Sequence, residues 1–250
     1  MTQAGFRFDV APLTDVGGVR QVNEDSMLAR TDAGVWVVAD GMGGHENGQW
    51  ASRTIVEAVN TAPISHDFDA SADALAQAIH AANGRIFEAA SQAGKQMGST
   101  VVALMIHGRR FCALWAGDSR IYLWRGGRLH RLTRDHSQVQ AMVDRGMLTP
   151  EEAHHHPMSH VLARAVGVEP TLELDAVTDE VETRDVFLLC SDGLTGVVDD
   201  DEIAERLSEH GPQTAARWLL DLVLSRGAPD NVTLIVTACD EITLLTLAPA

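Results

Sequence analysis

Cysteine is scarce in this sequence, and the three residues present do not form a disulfide framework. Cys112, Cys190 and Cys239 are widely spaced, and each lies inside or at the end of an apolar run. We therefore expect reduced thiols in the core. None is followed by an arginine six positions later, so the signature of a cysteine-dependent phosphatase is absent as well.

Long hydrophobic runs are also lacking. No stretch approaches the ~18 to 20 consecutive apolar residues that a membrane helix needs. The first residues, MTQAGFRFDV, have neither the basic region nor the apolar region of a signal peptide. These two absences predict a cytoplasmic protein that does not enter a membrane.

Basic residues are in the minority, because 19 Lys and Arg stand against 35 Asp and Glu and give a formal net charge of −16. Nucleic acids and anionic membranes bind through basic surfaces, so neither is expected as a partner. The G-x-x-x-x-G-K-[ST] pattern of P-loop nucleotide hydrolases is missing too. The surplus of carboxylates instead suits divalent cations as ligands.

The chain does have ample apolar material for a core, at 45% of its 250 residues. It contains no internal repeat, no low-complexity segment and no linker rich in Pro, Gly or Ser. We therefore expect one domain over residues 1–250.

Periodicity indicates which segments are strands and which are helices. Helical spacing of apolar residues predicts helices over 47–62, 70–92 and 212–225, and TPEE at 149–152 is a capping box that opens a short helix. The elements are grouped rather than strictly alternating, which favours an α+β fold of antiparallel sheets flanked by helices. Apolar, β-branched runs predict strands at 35–39, 100–106, 111–116, 121–124, 186–190 and 232–238.

Four aspartates each mark the end or the beginning of such a run: Asp40, Asp118, Asp192 and Asp230. If the strands share one sheet system, these carboxylates converge and repel one another unless they are protonated or a cation neutralises them. Oxygen ligands alone select Mg²⁺ or Mn²⁺ over zinc. The alternative is that each Asp is an ordinary turn or cap residue, which is the simpler reading of each one taken alone.

The segment GGVRQVNEDS, residues 17–26, adds a cation to these acids. Arg20 lies just before Glu24 and Asp25, and the planar fork of arginine suits phosphate oxygens. Paired metal ions can activate water for an in-line displacement at phosphorus. The combination favours phosphoester hydrolysis.

The motifs TDVGGVRQVNED, VVADGMGGHENG, GSTVVAL, WAGDSRIYLW, LTRDHS, LLCSDGL and APDNVT run in order from residue 14 to residue 233. In them the chain resembles the bacterial form of the metal-dependent protein phosphatase family, type 2C. The resemblance implies a central pair of packed antiparallel sheets with helices on both outer faces. It also implies a phosphoserine/phosphothreonine phosphatase that depends on Mn²⁺ or Mg²⁺.

Site residues carry over from the family position by position. The resemblance implies that Asp40 bridges two core metal ions and that Asp192 and Asp230 complete the first site. Glu24 and the carbonyl of Gly41 would serve the second site.

Further roles follow from the same resemblance. Asp25 would hold metal-bound water, and Asp118 would join Asp192 in binding a weaker third ion. Arg20 would be the ligand of the substrate phosphate, and Asn231 a supporting partner beside Asp230.

The general acid is open, because Met42 occupies the position where eukaryotic members carry histidine. His45, three residues later, is the nearest imidazole, and an unperturbed pKa of about 6.5 suits proton donation near neutrality. We therefore place His45 among the catalytic residues. A loop hydrogen bond that shapes GGHENG is the other interpretation of His45.

Three other segments have structural explanations. The family carries its flap at about residues 138–165, and HHHP at 154–157 reads as a solvated part of it. DDDE at 199–202 lacks the pattern of a calcium loop and reads as an acidic helix start. Asp135 and His136 in LTRDHS are explained by a turn between strand and helix, and contact with the substrate is the alternative interpretation.

Phosphoproteins are the expected partners, among them a Ser/Thr kinase or its targets, and we expect a monomer. Three other functions remain as alternatives. A phosphatase of small molecules would keep every metal ligand, a metal-dependent nuclease is disfavoured by the net charge of −16, and an inert binding module would be expected to have lost ligands.

Overall fold

Two antiparallel β-sheets packed face to face form the centre of the molecule. The computed structural model describes residues 3–44, 46–154, 156–159 and 161–244. The strands are β1 (Gln3–Asp15), β2 (Asp25–Arg30), β3 (Val35–Met42), β4 (Gly98–Ser99), β5 (Val101–His107), β6 (Arg110–Ala116), β7 (Arg120–Arg125), β8 (Arg128–Arg131), β9 (Asp175–Glu180), β10 (Asp185–Cys190) and β11 (Val232–Leu244). The first sheet has the strand order β1-β11-β10-β7-β8 and the second has the order β2-β3-β5-β6-β9, with β4 paired to β3.

Helices from four parts of the chain accompany the sheets. They are α1 (Glu46–Asn60), α2 (Phe68–Ala93), α3 (Gln138–Asp144), α4 (Pro150–His154), α5 (Asp192–Thr195), α6 (Asp200–Glu209) and α7 (Pro212–Ser225), with a short 3-10 helix at Thr31–Ala33. Within the described residues, none of these helices combines the length and the apolar character of a membrane-crossing segment.

Three hydrophobic clusters explain the layers. Trp36, Phe111 and Phe187 belong to the cluster between the two sheets. A second cluster packs α1 and α2 against the outer face of the second sheet. A third packs α6 and α7 against the outer face of the first sheet. The α+β class and the helix-flanked sandwich expected from the sequence are therefore confirmed.

Most local predictions also hold. The six predicted strands correspond to β3, β5, β6, β7, β10 and β11, and the hairpin turns carry glycines with positive φ, at 62° for Gly108 and at 58° for Gly126. Thr149 and Glu152 form the reciprocal capping bonds expected of TPEE. All three cysteines are free and buried, as expected.

The strand registers bring several chain segments to one end of the sandwich. In the first sheet, Cys190 at the end of β10 lies opposite both Arg120, where β7 begins, and Leu234 near the start of β11. In the second sheet, Asp25 at the start of β2 lies opposite Asp40 near the end of β3. The loops that carry the predicted acidic residues therefore emerge at the same end.

Candidate active site

Two carboxylates face each other across a strand pair at this end. Asp25 and Asp40 are direct partners in the antiparallel register of β2 and β3. Like charges placed opposite each other destabilise a sheet. Such a pair is expected where the charges serve a ligand.

Glycine is required beside Asp40 because three backbone segments meet there. A Cβ on Gly41 would lie 2.1 Å from the carbonyl oxygen of Gly48 and 2.6 Å from that of Glu24. A Cβ on Gly48 would lie 1.9 Å from Oε2 of Glu24. The Glu24 side chain therefore reaches the first turn of α1, beside the backbone of Gly41.

Thr100 connects the loops of two predicted metal ligands. Its Oγ1 accepts a hydrogen bond from the backbone N–H of Asp40 at 3.1 Å and shares a hydrogen bond with Ser119 Oγ at 2.7 Å. Thr100 N–H also donates to the carbonyl of Asp40 at 2.8 Å. One buried hydroxyl thus sets the spacing between Asp40 and the loop of Asp118.

Ser191 plays a similar part for the pair Asp25 and Asp192. Its hydroxyl donates to Oδ2 of Asp25 at 2.9 Å and accepts from the backbone N–H of Thr233 at 3.0 Å. Asp192 then begins α5 directly after β10. A Cβ on the next residue, Gly193, would lie 1.8 Å from the carbonyl oxygen of Asn231, so the loops of Asp192 and Asp230 are in close contact.

The loop that carries Arg20 is tied down by Asn231. Asn231 Nδ2 donates to the carbonyls of Val16 and Val22 at 2.9 and 3.0 Å, while its Oδ1 accepts from Glu24 N–H at 2.8 Å. Arg20 Nη2 donates to Oδ2 of Asp230 at 2.8 Å, with about half of the Arg20 side chain exposed. The predicted phosphate ligand and a predicted metal ligand are therefore partners.

The electrostatics show that the carboxylates share one region. Desolvation, followed by the charges of Asp25, Asp192, Asp118 and Asp230, raises the pKa of Asp40 well above its usual range. Burial first, and then Asp192 and Asp230, raises the pKa of Asp25 to about 7. These shifts mark a site that favours a neutralising cation.

Asp118 belongs to the same field. Desolvation and then the charges of Asp192 and Asp135 raise its pKa to about 8. A cavity of about 530 Å³ is lined by Asp118 and Asp192 and also by Arg120, Arg131 and Asp135.

The donor set fits Mn²⁺ or Mg²⁺. It supplies oxygen atoms, and Oδ1 of Asp25 is buried without a hydrogen-bond partner in the structure. In the ranges that the structure describes, no three Asp, Glu, His or Cys side chains stand close enough to hold an ion as they are placed. Mutual repulsion opposes closer approach of carboxylates until a cation neutralises them.

Other predicted features have separate outcomes. His45, the predicted acid, lies outside the described residues. DDDE is a helix start, because Asp199 and Glu202 form a capping box at α6. Asp135 does more than shape a turn, since it receives hydrogen bonds from Arg120 and Arg131.

The sequence-based prediction does not include the hydroxyl residues that hold the predicted metal ligands in place. Thr100, Ser119 and Ser191 lie in three of the motifs, and two of them are adjacent to a predicted metal ligand. That adjacency was the available signal, but a serine beside an aspartate also suits an ordinary turn.

Comparison with known proteins decides the family. The family described as Protein phosphatase 2C matches residues 18–223. Serine/threonine protein phosphatase PstP of Mycobacterium tuberculosis is 40% identical over 90% of this chain. The chain belongs to the protein phosphatase 2C family. The resemblance predicted from the motifs is confirmed, and the chain spans 44% of the length of that PstP.

Solved structures of family members agree with the fold. PppA, described as a key regulatory component of T6SS in Pseudomonas aeruginosa, superposes with a TM-score of 0.88 at 42% identity, covering 94% of this chain and 99% of the other. The catalytic domain of PstP in complex with 2 manganese ions gives a TM-score of 0.85 at 35% identity, covering 94% and 100%. Two manganese ions bound to a relative this similar support metal dependence in the protein phosphatase 2C family.

Proposed function

We propose that this chain hydrolyses phosphoserine and phosphothreonine esters in proteins, with Mn²⁺ or Mg²⁺ as its cofactor. The observation that carries the proposal is the opposition of Asp25 and Asp40 at the end of the sandwich where Arg20 and Asp230 also meet. Two divalent ions bound there would lower the pKa of an attacking water and clamp phosphoryl oxygens.

The residues divide into those that hold ions and one that binds phosphate. Asp40, Asp192 and Asp230 would hold one ion, and Asp40, Glu24 and the Gly41 carbonyl would hold a second. Asp25 would orient water beside them.

Arg20 binds the substrate phosphate through its guanidinium, which already lies 2.8 Å from Asp230. Asp118 and Asp192, which both line the cavity of about 530 Å³, would hold a weaker third ion.

His45 protonates the leaving alkoxide in this proposal, since Met42 cannot. Replacement of His45 by Ala is expected to lower kcat on phosphoserine, with a smaller loss on p-nitrophenyl phosphate, because an acidic leaving group needs less protonation. Equal losses on both substrates would assign His45 a structural role.

The segment 138–165 forms the flap that meets the protein substrate. It contributes Val139, Val143 and Ser159 to the cavity beside Asp118. Its end also lines a larger groove of about 1040 Å³ that begins at Met42 and Gly43, immediately after the metal-binding Asp40 and Gly41. The cavity and the groove can accommodate the substrate residues on either side of a phosphoserine or phosphothreonine.

In the cell we place the enzyme in the cytoplasm as a monomer that opposes a Ser/Thr kinase in signalling. The relative PstP, named a serine/threonine protein phosphatase, supports a phosphoprotein substrate. The alternative is a phosphatase of small-molecule phosphoesters, which would use the same ions and Arg20.

Steady-state kinetics on two substrate classes separate these functions. We expect kcat/KM for phosphothreonine peptides to exceed that for sugar phosphates and nucleotides. Met147 is 64% exposed within the flap, so Met147→Ala is expected to change the ranking of peptides more than it changes p-nitrophenyl phosphate hydrolysis. A higher kcat/KM for a sugar phosphate or nucleotide would favour the alternative.

A further inference from the structure

His136 is almost enclosed at the base of the Asp118 loop. Only 10% of its side chain is exposed. Its ring stacks on Trp115 of β6, with ring centroids 6.1 Å apart and planes 17° from parallel. The ring therefore has a fixed plane, and its two nitrogens point to defined neighbours.

One neighbour is Gly117, the residue before Asp118. The backbone N–H of Gly117 donates to the ring Nδ1 of His136 at 3.2 Å. The backbone N–H of His136 donates in turn to the carbonyl of Gly117 at 2.8 Å. Gly117 has a φ of 112°, and a Cβ there would lie 2.6 Å from Thr100 Cβ. The backbone that delivers Asp118 is therefore held between Thr100 and His136.

The other neighbours belong to the end of the flap and to β9. The N–H of Ala163 donates to the carbonyl of His136 at 2.8 Å. Nδ1 accepts from Gly117, so Nε2 carries the proton in a neutral ring. Nε2 lies 3.3 Å from Oδ2 of Asp175 and 3.3 Å from Nη1 of Arg164. Arg164 Nη1 donates to the second oxygen of Asp175 at 2.7 Å.

We propose that His136 is a positioning residue, which fixes the Asp118 carboxylate for its part in the metal centre by holding Gly117 through Nδ1. The inference rests on the proposed function. Residues that orient a metal ligand from behind typically change metal affinity or activity by about 10- to 100-fold when they are replaced.

The competing explanation is that His136 only packs against Trp115 and holds the loop in shape. The two explanations differ in what a replacement retains. His136→Asn keeps an oxygen near the place of Nδ1 and can still accept from Gly117. His136→Gln keeps the size of the side chain but reaches toward Nε2, so it leaves the Gly117 N–H without that acceptor.

Calorimetric titration with Mn²⁺ tests the proposal without relying on turnover. We compare wild type, Asp118→Asn, His136→Gln, His136→Asn and the Asp118→Asn/His136→Gln double variant. We expect Asp118→Asn and His136→Gln each to weaken the same Mn²⁺-binding event by 10-fold or more. His136→Asn should retain nearly wild-type affinity. The double variant should bind Mn²⁺ no more weakly than Asp118→Asn.

Matched controls separate positioning from general damage. His130→Ala, on the exposed side of β8, should titrate like wild type. Each variant is also scored by kcat and KM on p-nitrophenyl phosphate, where His136→Gln should lower kcat with KM nearly unchanged.

Three results would overturn the inference: wild-type Mn²⁺ binding in His136→Gln, a loss in the double variant equal to the product of the single losses, or His136→Asn as weak as His136→Gln. A wild-type chain that binds Mn²⁺ but does not cleave phosphopeptides would contradict the proposed function. The titrations would still test whether His136 positions Asp118.

Discussion

Arg20 joins the phosphate-binding and metal-binding parts of the proposed site, because its guanidinium hydrogen-bonds Asp230 at 2.8 Å. We expect Arg20→Ala to weaken binding of phosphate-bearing substrates by about 1.5 to 3 kcal/mol, the range for a charge-assisted contact. The change should appear in KM for p-nitrophenyl phosphate and phosphothreonine peptides, with a much smaller change in Mn²⁺ affinity.

Arg20→Lys is the matched control, since lysine keeps the charge and loses the planar fork. It should fall between wild type and Arg20→Ala. Unchanged KM and kcat in Arg20→Ala would remove Arg20 from the site.

Single residues also show how far the sequence predicts the site. The acids could be found because Asp40, Asp118 and Asp192 all lie at the ends of apolar runs, and this repetition indicates a shared site although each one alone suits a turn. Thr100, which lies between β4 and β5, could not be found in this way, because a hydroxyl beside an apolar run is common and its contacts with Asp40 and Ser119 join residues far apart in the chain. Supporting contacts of this kind depend on the packing of two strands.

Among the secondary-structure elements, α6 has a well-defined start. Asp199 accepts from the N–H of Glu202 at 2.9 Å, and Glu202 accepts from the N–H of Asp199 at 3.4 Å. We expect Asp199→Ala to lower the free energy of unfolding by about 1 kcal/mol, the usual loss for an N-cap. Urea unfolding with fixed Mn²⁺ measures it.

Asp201→Ala serves as the control on the same helix, because Asp201 is exposed and lies outside the capping box. Its effect on the free energy of unfolding should be within about 0.5 kcal/mol. Equal effects of the two substitutions would show that the reciprocal bonds do not stabilise α6.

The position of a strand within its sheet decides whether the sequence predicts it. The interior strands of both sheets are predicted, because burial on both faces produces continuous apolar runs; they are β3, β5, β6, β7, β10 and β11. The strands at the sheet edges were missed: β1, β2, β8 and β9. β9 reads DAVTDE and is mostly exposed, while β1 contains Pro12, which an edge strand tolerates.

For the whole molecule, the clustered carboxylates make stability depend on pH. The pKa of Asp118 is raised to about 8 in the folded chain, so the folded state binds more protons than the unfolded state between about pH 4 and pH 8. The contribution of Asp118 to the free energy of unfolding is therefore most favourable at low pH and is lost as the pH rises through about 8. Asp118→Asn removes this contribution.

Urea unfolding in EDTA at pH 5.5 and at pH 8.5 measures the effect. We expect Asp118→Asn to gain stability relative to wild type as the pH rises between these values. Saturating Mn²⁺ should reduce this gain, because wild type then has a cation near the carboxylates. An identical difference between the two proteins at both pH values in EDTA would contradict the electrostatic account.

Release of phosphate from a phosphothreonine peptide in the presence and absence of metal tests the whole account most directly. Wild type should lose activity in excess EDTA and regain it when Mn²⁺ is added beyond the chelator, and thiol alkylation should have no effect because all three cysteines are buried. Asp192→Asn and Asp40→Asn should remain folded and behave with Mn²⁺ as wild type does in EDTA. Strong wild-type activity in excess chelator would contradict the metal-dependent mechanism.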